Sequence, residues 1–331
     1  MTKYTSISIV IPTLNEENNI EKCLISIFRQ EYGGKLEVIV VDGGSKDKTI
    51  AIAKKYPVII LNNPYVLAEA GKKIGLDKSR GKYFMVLDAD MEIVGKNWFQ
   101  RMIYPLEKDK KIVGSWTKFI SFKKDSSLDK YITLDPIQRD PLYEYLTPSM
   151  ASCVVEKNKR YTELRYSPGK ILPGAFCVYR RQEILKTDIG KRKKFMELDS
   201  LVILVNEVSD RFAYVGSVAI HHPFLNNLGK LIKKRERNVK DVYFGQPDKR
   251  VWTWINWDNS NHIFKLFVWI LYCYLFLPSL LVGVVKCIRK RTFLGLYEPV
   301  FNVVATSAII ISFFKNREGR NLIRRAIGTI V

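Results

Sequence analysis

The sequence predicts an α/β fold, with a mostly parallel sheet in its first part and helices on both faces of that sheet. Short apolar runs alternate with segments whose apolar residues recur at helical spacing. The strand-like runs are apolar along their whole length, which is typical of strands buried on both faces. Two nearly charge-free runs near the C-terminus predict a separate hydrophobic helical segment.

The first ninety residues alternate strictly between strand and helix patterns. Four apolar runs predict strands: ISIVIPT (7–13), LEVIVVD (36–42), PVIILNN (57–63) and KYFMVLDAD (82–90). Three segments between them predict helices: EENNIEKCLISIFRQ (16–30), KTIAIAKKY (48–56) and LAEAGKKIGLDKSRG (67–81). The carboxyl ends of parallel strands meet at one edge of the sheet, and ligands bind at that edge.

The middle of the chain, about 110–222, is less regular. KIVGSWTKF (111–119) and AYVGSVAIHH (213–222) predict two further strands, and LPGAFCVYRRQEILK (172–186) predicts a strand that runs into a helix. Residues 120–170 are rich in polar and aromatic side chains and give no assignable pattern.

From residue 226 the composition becomes basic and aromatic. LGKLIKKRERNVKDVYF (228–244) predicts a basic helix, and VWTWINWDN (251–259) is dense in tryptophan. Residues 266–285 carry no charge over about one bilayer thickness of helix, and residues 292–314 are similar apart from one glutamate. The two runs predict a membrane hairpin, with partial burial in the membrane interface or a pair of core helices as alternatives.

These patterns divide the chain into three expected parts. They are an α/β domain over 1–225, a basic, tryptophan-rich interface segment over 226–262, and hydrophobic helices with a basic tail over 263–331.

The composition limits the class of protein. The chain has 331 residues, 47% of them hydrophobic, which is enough for one large domain or a domain with an appendage. Its net charge of +21 attracts anions such as nucleic acid, anionic lipid or phosphorylated substrates. The five cysteines are scattered without a CxxC pair, which argues against a disulfide framework or a structural zinc site and favours a cytoplasmic setting. The first residues lack the pattern of a signal peptide.

Acidic side chains stand where the predicted strands end. Asp88 and Asp90 follow the fourth strand, Asp42 ends the second, and PTLNEEN follows the first. Two carboxylates at i and i+2 on an extended chain point to one side, and Mg²⁺ and Mn²⁺ prefer oxygen ligands shared with substrate phosphates. A cation held there would stabilise the charge on a departing diphosphate. The alternative is a solvated turn with two surface acids.

Three segments together resemble one family of enzymes. SIVIPTLNEENNIEKCLISI, EVIVVDGGSKDKT and GKYFMVLDAD are similar to the family 2 nucleotide-sugar glycosyltransferases with the GT-A fold, and PGAFCVYRR and AYVGSVAIHHP extend the similarity to about residue 223. The resemblance implies an inverting transfer from a UDP-, GDP- or dTDP-sugar, assisted by Mg²⁺ or Mn²⁺.

The resemblance also implies roles for individual residues. Donor-binding positions are Pro12, Asn15 and Glu17 near the nucleoside, Asp42 at the base, Lys72 where the family often has an arginine, and Asp88 at the ribose or sugar. Asp90 falls on the metal ligand of the family. Gly174 and Ala175 fall on the acceptor side.

The expected base is displaced from the family pattern. The family shows an adjacent Glu-Asp pair, whereas this chain reads FMELDSLVI, with Glu197 on the glutamate, Leu198 on the aspartate and Asp199 one residue later. A sugar hydroxyl needs deprotonation as it attacks, so a carboxylate is useful there. A lipid phosphate is already anionic and needs no base. Asp199 is the preferred base, with Glu197 as the competing choice and a helix-start cap as the alternative.

Two further features bear on phosphate. His222 matches a histidine often seen in the family, and it completes the metal site or contacts the diphosphate, with a simple strand-end histidine as the alternative. Lys233, Lys234, Arg235 and Arg237 form a basic band that suits a membrane surface or the head group of a polyprenyl phosphate acceptor.

The sequence therefore predicts a membrane-bound glycosyltransferase. Its catalytic domain is expected on the cytoplasmic side of the cell membrane, with a lipid-linked phosphate or saccharide as acceptor. A nucleotidyltransferase and a non-enzymatic protein that binds anions or lipids are the alternatives. No recognised nucleic-acid motif accompanies the positive charge, so nucleic acid is not an expected partner.

Overall fold

The computed structural model describes residues 5–168, 170–172, 178–244 and 250–330. The chain forms two compact units. The first comprises Met1–Ile120 with Thr147–His222, and the second comprises Ser121–Leu146 with Pro223–Val331. The boundary near residue 222 lies close to the one expected from composition, whereas residues 121–146 group with the C-terminal part rather than with the α/β domain.

The strands of the first unit are listed here in chain order. They are β1 (Ile7–Thr13), β2 (Leu36–Asp42), β3 (Val58–Asn62), β4 (Tyr83–Val86), β5 (Glu92–Val94), β6 (Ile112–Ile120), β7 (Val154–Lys157), β8 (Thr162–Arg165), β9 (Val178–Arg180) and β10 (Arg211–His221).

The helices of the first unit flank these strands. They are α1 (Ile20–Phe28), α2 (Thr49–Ala53), α3 (Ala68–Lys78), α4 (Trp98–Lys108), α7 (Met150–Cys153), α8 (Arg181–Lys186), α9 (Asp188–Lys191) and α10 (Glu197–Glu207). The two helices between α4 and α7, α5 (Ser127–Ile132) and α6 (Pro141–Leu146), belong to the second unit.

The strands form one sheet in the order β3-β2-β1-β4-β9-β6-β10-β8-β7, with β5 paired to β10. The four predicted strands β1 to β4 are mutually parallel, as expected. Strand β9 then pairs antiparallel with both β4 and β6, so the sheet as a whole is mixed. The crossover between β4 and β9 spans ninety residues of sequence, which is why the alternating pattern of the first ninety residues did not predict the second half.

Apolar packing fixes the parallel strands. Residues Ile7, Ile9 and Ile11 of β1 are fully buried in one cluster with the inner face of α1, where Ile20 and Leu24 are also fully buried. Helix α3 packs on the opposite face. A side chain at Gly75 would meet the Val10 side chain at 2.3 Å, so only glycine allows this close approach of helix to strand.

The second unit is mostly helical. After α5 and α6 it continues with α11 (Leu228–Arg237), a π-helical segment (Asn238–Phe244), α12 (Ser260–Tyr274), α13 (Leu277–Lys290), a 3-10 helix (Phe293–Tyr297), α14 (Glu298–Lys315) and α15 (Arg317–Ile330).

The two charge-free runs differ from a simple hairpin. Over the described residues, Phe293–Lys315 is the single helix that is long and apolar enough to cross a membrane. The first run is broken instead, because α12 and α13 meet at an 81° bend. The break falls at Phe276, which has a φ of 57° and precedes Pro278 near the start of α13. The expectation of a continuous helix over 266–285 is therefore wrong.

Candidate active site

Three strand ends meet at one edge of the sheet in the first unit. Thr13 at the end of β1 lies in register with Asp42 at the end of β2. The Gly43 N–H donates to the Thr13 carbonyl at 2.8 Å, and the Leu87 N–H donates to the Val10 carbonyl at 3.0 Å. The loops that carry the predicted donor-binding residues therefore leave the sheet side by side, as expected for parallel strands.

Asp42 shapes the turn that follows β2. Its carboxylate accepts hydrogen bonds from the backbone N–H groups of Gly44 and Ser45, both at 3.0 Å, and from the Ser45 hydroxyl at 2.5 Å. Gly44 has a φ of +94°, which favours glycine. The predicted contact of Asp42 with the base stays a prediction, and its observed role is to hold this turn.

Asn15 and Glu17 tie the loop after β1 to the loop after β2. Asn15 adopts a left-handed φ of 55°, a conformation that asparagine tolerates, and its side-chain oxygen accepts from the Lys46 N–H at 2.9 Å. The Glu17 carboxylate accepts from the Lys48 N–H at 3.0 Å. Pro12 is buried within β1. These predicted residues hold the shape of the edge.

Lys72 is the centre of a buried ion cluster. Its side chain is 7% exposed, and its ammonium group pairs with the Glu197 carboxylate and lies 3.6 Å from Asp88 Oδ1. Burial alone would lower the pKa of Lys72, but the Asp88 and Glu197 carboxylates outweigh it and raise that pKa well above its ordinary value. The cluster joins α3, the end of β4 and the start of α10.

The position of Glu197 depends on an aromatic anchor two residues earlier. Phe195 is fully buried, with its ring 5.5 Å from that of Phe84 on β4. The Phe195 N–H donates to the Glu69 carbonyl on α3 at 2.9 Å. Because α10 begins directly after this anchor, Glu197 is delivered to Lys72 across 125 residues of sequence.

Asp199 has a different environment. Its side chain is 1% exposed and pairs with the Arg192 guanidinium at 3.3 Å, while the same guanidinium pairs with Asp188 at 2.7 Å. Glu197 is also paired with a cation, Lys72, but its side chain is 18% exposed. Exposure therefore favours Glu197 over Asp199 as the carboxylate that a substrate hydroxyl reaches, and the choice of base stays a prediction.

Asp88 and Asp90 keep part of their surface open. Their side chains are 34% and 32% exposed. His222 Nε2 lies 3.7 Å from Asp90 Oδ2, and the His222 ring contacts the Phe119 ring at 5.9 Å between centroids. The preceding histidine, His221, instead turns to Glu92 on β5 at 3.2 Å. His222, which is the better match to the family histidine in the sequence, is therefore the one of the two that lies beside Asp90.

The donor set can be tested against a divalent cation. Among the described residues, no group of three or more histidine, cysteine or acidic side chains forms a cage for a metal. Two ligands of one octahedral ion, each about 2.1 Å from it, lie about 3.0 Å apart when adjacent and about 4.2 Å apart when opposite. The 3.7 Å between His222 Nε2 and Asp90 Oδ2 lies between these two separations and matches neither. The imidazole and the carboxylate are suitable ligand types, so the pair would hold an ion after a shift of about half an ångström, with the remaining ligands taken from substrate phosphate and water.

Glu16 is a residue of this site that the sequence reading did not select. Its carboxylate accepts from Asn19 Nδ2 at 2.8 Å. Burial raises the pKa of Glu16, the bond from Asn19 opposes that rise, and the negative charges of Asp90 and Asp88 add to it. The NEEN sequence offers two glutamates: Glu16 senses the charges of Asp90 and Asp88, whereas the Glu17 carboxylate bonds to the Lys48 N–H in the loop after β2.

The residues that the sequence assigned to the acceptor side lie in different environments. Gly174 and Ala175 lie outside the described residues. In the second unit, Lys233 and Arg237 are exposed on α11. Lys234 stacks over the Phe224 ring, with Nζ 3.0 Å from its centroid.

Arg235 departs from that assignment. Its side chain is 3% exposed and pairs with the fully buried Asp140 of the same unit. It also lies over the Tyr143 ring, 5.1 Å from the centroid. A guanidinium committed in this way holds α11 in the core, so the prediction that Arg235 faces a ligand is wrong.

The first half of the chain is similar in sequence to known proteins. A model of the family described as glycosyl transferase family 2 matches residues 8–182, more than half of the chain. Glycosyltransferase AglE of Haloferax volcanii is 33% identical over 102 residues, covering 29% of this chain and 33% of that protein. A dolichol-phosphate mannosyltransferase of Pyrococcus furiosus is 32% identical over 91 residues, 26% of each chain.

Both matches therefore span a third or less of the relatives' length. One solved structure, the mannosyltransferase PcManGT from Pyrobaculum calidifontis in complex with GDP-Man and Mn²⁺, covers 99% of this chain and 81% of its own, at 15% identity and a TM-score of 0.49. Such a score carries no argument about fold or function. The family match does: the chain belongs to glycosyl transferase family 2, and its mixed α/β sheet is the GT-A fold that the sequence resemblance implied.

Proposed function

We propose that this protein is an inverting, metal-dependent glycosyltransferase that moves a sugar from a nucleotide-diphosphate sugar to a lipid-linked acceptor. The observation that supports this most is the acidic edge of the first unit. Two partly open carboxylates, Asp88 and Asp90, stand there beside the Lys72–Glu197 pair and His222. Family membership favours this activity over nucleotidyl transfer or simple anion binding.

The donor would lie along the loops at the strand ends. The nucleoside would contact the loops that carry Asn15 and Asp42, where backbone and side-chain hydrogen bonds hold a fixed surface. Asp88 would accept from hydroxyls of the ribose or the sugar. Lys72 Nζ lies 3.6 Å from Asp88 Oδ1, so its positive charge holds that carboxylate in place.

A Mg²⁺ or Mn²⁺ ion would be held by Asp90 and His222. When bound, such an ion neutralises negative charge on the diphosphate leaving group. The carboxylate at Asp90 supplies the hard oxygen ligand that these ions prefer. Glu16 adds a third acidic side chain nearby; its pKa is raised first by burial and further by the charges of Asp90 and Asp88, a repulsion that a bound cation would relieve.

The identity of the acceptor decides whether a base is required. A sugar hydroxyl loses a proton during attack, and Glu197 is the carboxylate whose placement suits that task. A lipid phosphate is anionic at neutral pH and attacks without a base. In that case the Lys72–Glu197 pair would serve only to position α10 and the donor.

A lipid-linked acceptor is supported by two observations. One relative, the dolichol-phosphate mannosyltransferase of Pyrococcus furiosus, carries a lipid phosphate in its name. The second unit contains one helix apolar enough to cross a membrane and the bent α12–α13 pair. We therefore propose an enzyme attached to a membrane, with the α/β unit on the cytoplasmic side where nucleotide sugars are made.

The experiment is a donor screen followed by one substitution. Purified full-length protein is incubated with UDP-, GDP- and dTDP-sugars and Mn²⁺, and release of nucleoside diphosphate is measured with and without a lipid extract. We expect one donor class to be turned over, and the Asp90→Asn variant to lose about 100-fold or more of that rate.

The control removes an acid of the same unit from the surface. Asp210 is 45% exposed beside Arg165, so Asp210→Asn should retain the rate of the unmodified protein. Equal activity in Asp90→Asn and Asp210→Asn, or turnover that persists in a metal chelator, would contradict the proposed role of Asp90.

A further inference from the structure

The second unit contains a cavity that the proposed transfer reaction does not use. It has a volume of about 220 Å³ and lies between the α5–α6 segment and the C-terminal end of α13. We call it the α13 pocket. Its polar lining consists of Asp135, Arg139, Glu144, Lys286, Arg289 and Lys290, and its remaining lining is mostly apolar. A cavity of this volume has room for several waters or for a small anionic group.

The charges that line the pocket do not balance. Arg139 is held by Asp135, with Nη2 2.7 Å from Oδ2. Lys286 is held by two carboxylates, Glu144 at 2.9 Å and Glu298 at 2.8 Å.

Two cations of the lining remain. Arg289 and Lys290 have no carboxylate partner among the residues that the structure describes. Both are exposed and lie one turn beyond Lys286, in the last turn of α13. Arg289 and Lys290 thus face the pocket without a paired carboxylate, and the four cations and three carboxylates named here together keep a net positive charge, which suits an anionic group such as phosphate.

Helix α13 is amphipathic in an inverted sense. Its exposed side chains include Leu281 at 58%, Val285 at 43% and Ile288 at 72% exposure. Its cationic Lys286 is by contrast 24% exposed and turned toward acids of the same unit. A surface helix of a water-soluble protein shows the opposite arrangement, with charges outward and apolar residues inward. An apolar outer face beside cations is the pattern of a helix that lies in the membrane interface.

From these observations we propose that the α13 pocket binds the phosphate group of a lipid, and that the hydrocarbon chain of that lipid lies along the exposed apolar face of α13. Arg289 and Lys290 pair with the phosphate, and Leu281, Val285 and Ile288 contact the chain. A membrane phospholipid and a polyprenyl phosphate share this chemistry. The site goes beyond the donor edge of the first unit and acts in binding, without a covalent step.

The test measures lipid binding rather than sugar transfer. Full-length protein is titrated with phosphatidylcholine vesicles alone, with vesicles that also contain phosphatidylglycerol, and with vesicles that also contain a polyprenyl phosphate; inorganic phosphate is titrated separately. We expect tighter binding to vesicles that contain one or both of the anionic lipids than to phosphatidylcholine alone, in which choline neutralises the phosphate, and at least tenfold weaker binding of inorganic phosphate. The stronger of the two additions identifies the source of the phosphate.

The Arg289→Gln/Lys290→Gln variant should weaken binding of the preferred lipid by about 30-fold, since each near-surface cation contributes about 1 kcal/mol. The matched control is Lys110→Gln/Lys111→Gln, which removes two adjacent exposed charges from the first unit and leaves net charge equal. A second variant, Ile288→Ser, changes no charge and alters a residue that is 72% exposed, so it should fold normally and weaken lipid binding about fivefold.

Three results would overturn the proposal: equal binding by the pocket variant and the Lys110/Lys111 control, binding of inorganic phosphate as tight as that of the lipids, or no effect of Ile288→Ser. None of these measurements requires a nucleotide sugar. A protein that binds lipid through the α13 pocket but releases no nucleoside diphosphate would contradict the proposed enzyme and leave the pocket intact.

Discussion

Each unit contains one charged side chain held by several polar partners. The central charge is positive and the cluster is partly open to solvent in the first unit, whereas the central charge is negative and buried in the second. In the first unit, the cation Lys72 lies between the carboxylates of Asp88 and Glu197. In the second, the carboxylate of Glu298 pairs with Lys286 and accepts a hydrogen bond from the Tyr131 hydroxyl at 2.6 Å.

Exposure separates the two clusters. Asp88 is 34% exposed, whereas the Glu298 side chain is 2% exposed and also accepts from Tyr272 and Asn302. A cluster with open carboxylates is able to exchange protein partners for a substrate or an ion. A closed cluster has every partner supplied by the protein, so its contribution is to stability. We therefore expect substitutions in the open Lys72 cluster to change activity, and substitutions in the closed Glu298 cluster to change stability.

The largest expected effect is at the closed cluster. Glu298→Ala leaves Lys286 and three hydrogen-bond donors without this carboxylate, which should lower the free energy of unfolding by roughly 3–5 kcal/mol. Thermal unfolding in detergent measures the loss. The exposed Glu318→Ala on α15 is the control and should change stability by less than about 0.5 kcal/mol. A Glu298 variant as stable as this control would show that the closed cluster is not structural.

Glu197→Gln tests the open cluster next. If the acceptor is a hydroxyl, loss of the base should lower the rate of transfer by about 100-fold or more. Asp199→Asn should not reproduce that loss, because Asp199 is buried against Arg192. A Glu197→Gln rate close to that of the unmodified protein would instead identify an anionic phosphate acceptor.

Lys72→Ala should follow, with about a 100-fold loss of activity. The change leaves Asp88 and Glu197 without the cation that separates their negative charges, so the donor edge loses its shape. Lys72→Arg keeps the charge and should recover most of the rate. Lys73→Ala breaks a pair with Asp77 on the same helix and serves as the control, with activity near normal. Failure of arginine to restore activity would argue against a role for the charge.

The smallest effect is at Glu16. Its pKa is raised by burial and by Asp90 and Asp88, so the folded state binds a proton more tightly than the unfolded state does. Protonated Glu16 therefore contributes to the free energy of unfolding. The contribution is fully present below the pKa that Glu16 has in the unfolded chain, and it is lost as pH rises through the pKa that Glu16 has in the folded protein. Glu16→Gln should therefore stabilise the metal-free protein by roughly 0.5 kcal/mol at neutral pH, and not at acidic pH. Thermal unfolding across pH measures this difference, and an equal gain at all pH values would contradict it.

The parallel strands were predictable because their information is local. Uninterrupted apolar runs and helical spacing recur within ninety residues, and they gave β1 to β4 and the acidic strand ends directly. The pair of Lys72 and Glu197 was not predictable, because it depends on the docking of Phe195 against Phe84 far along the chain. The burial of Asp199 was not predictable for the same reason: nothing near Asp199 in the sequence shows that Arg192 folds back onto it.

The break in the first apolar run was visible in the sequence, but the count of charged residues hid it. Counting charges predicts one helix over 266–285, yet Pro278 lies within that run, and a proline near the start of a helix is where a new helix begins. Glu298 was visible as an acid in the second run. Its partners were not, since Tyr131 lies in residues 120–170, which gave no pattern, and Tyr272 lies in the other apolar run, whose docking onto the second is a tertiary contact.

The bend at Phe276 has a consequence for the path of the chain. At about 1.5 Å per residue, the 15 residues of α12 and the 14 residues of α13 make limbs of about 22 Å and 21 Å. A hydrocarbon layer is about 30 Å thick. Neither limb alone is therefore long enough to cross such a layer as a straight helix.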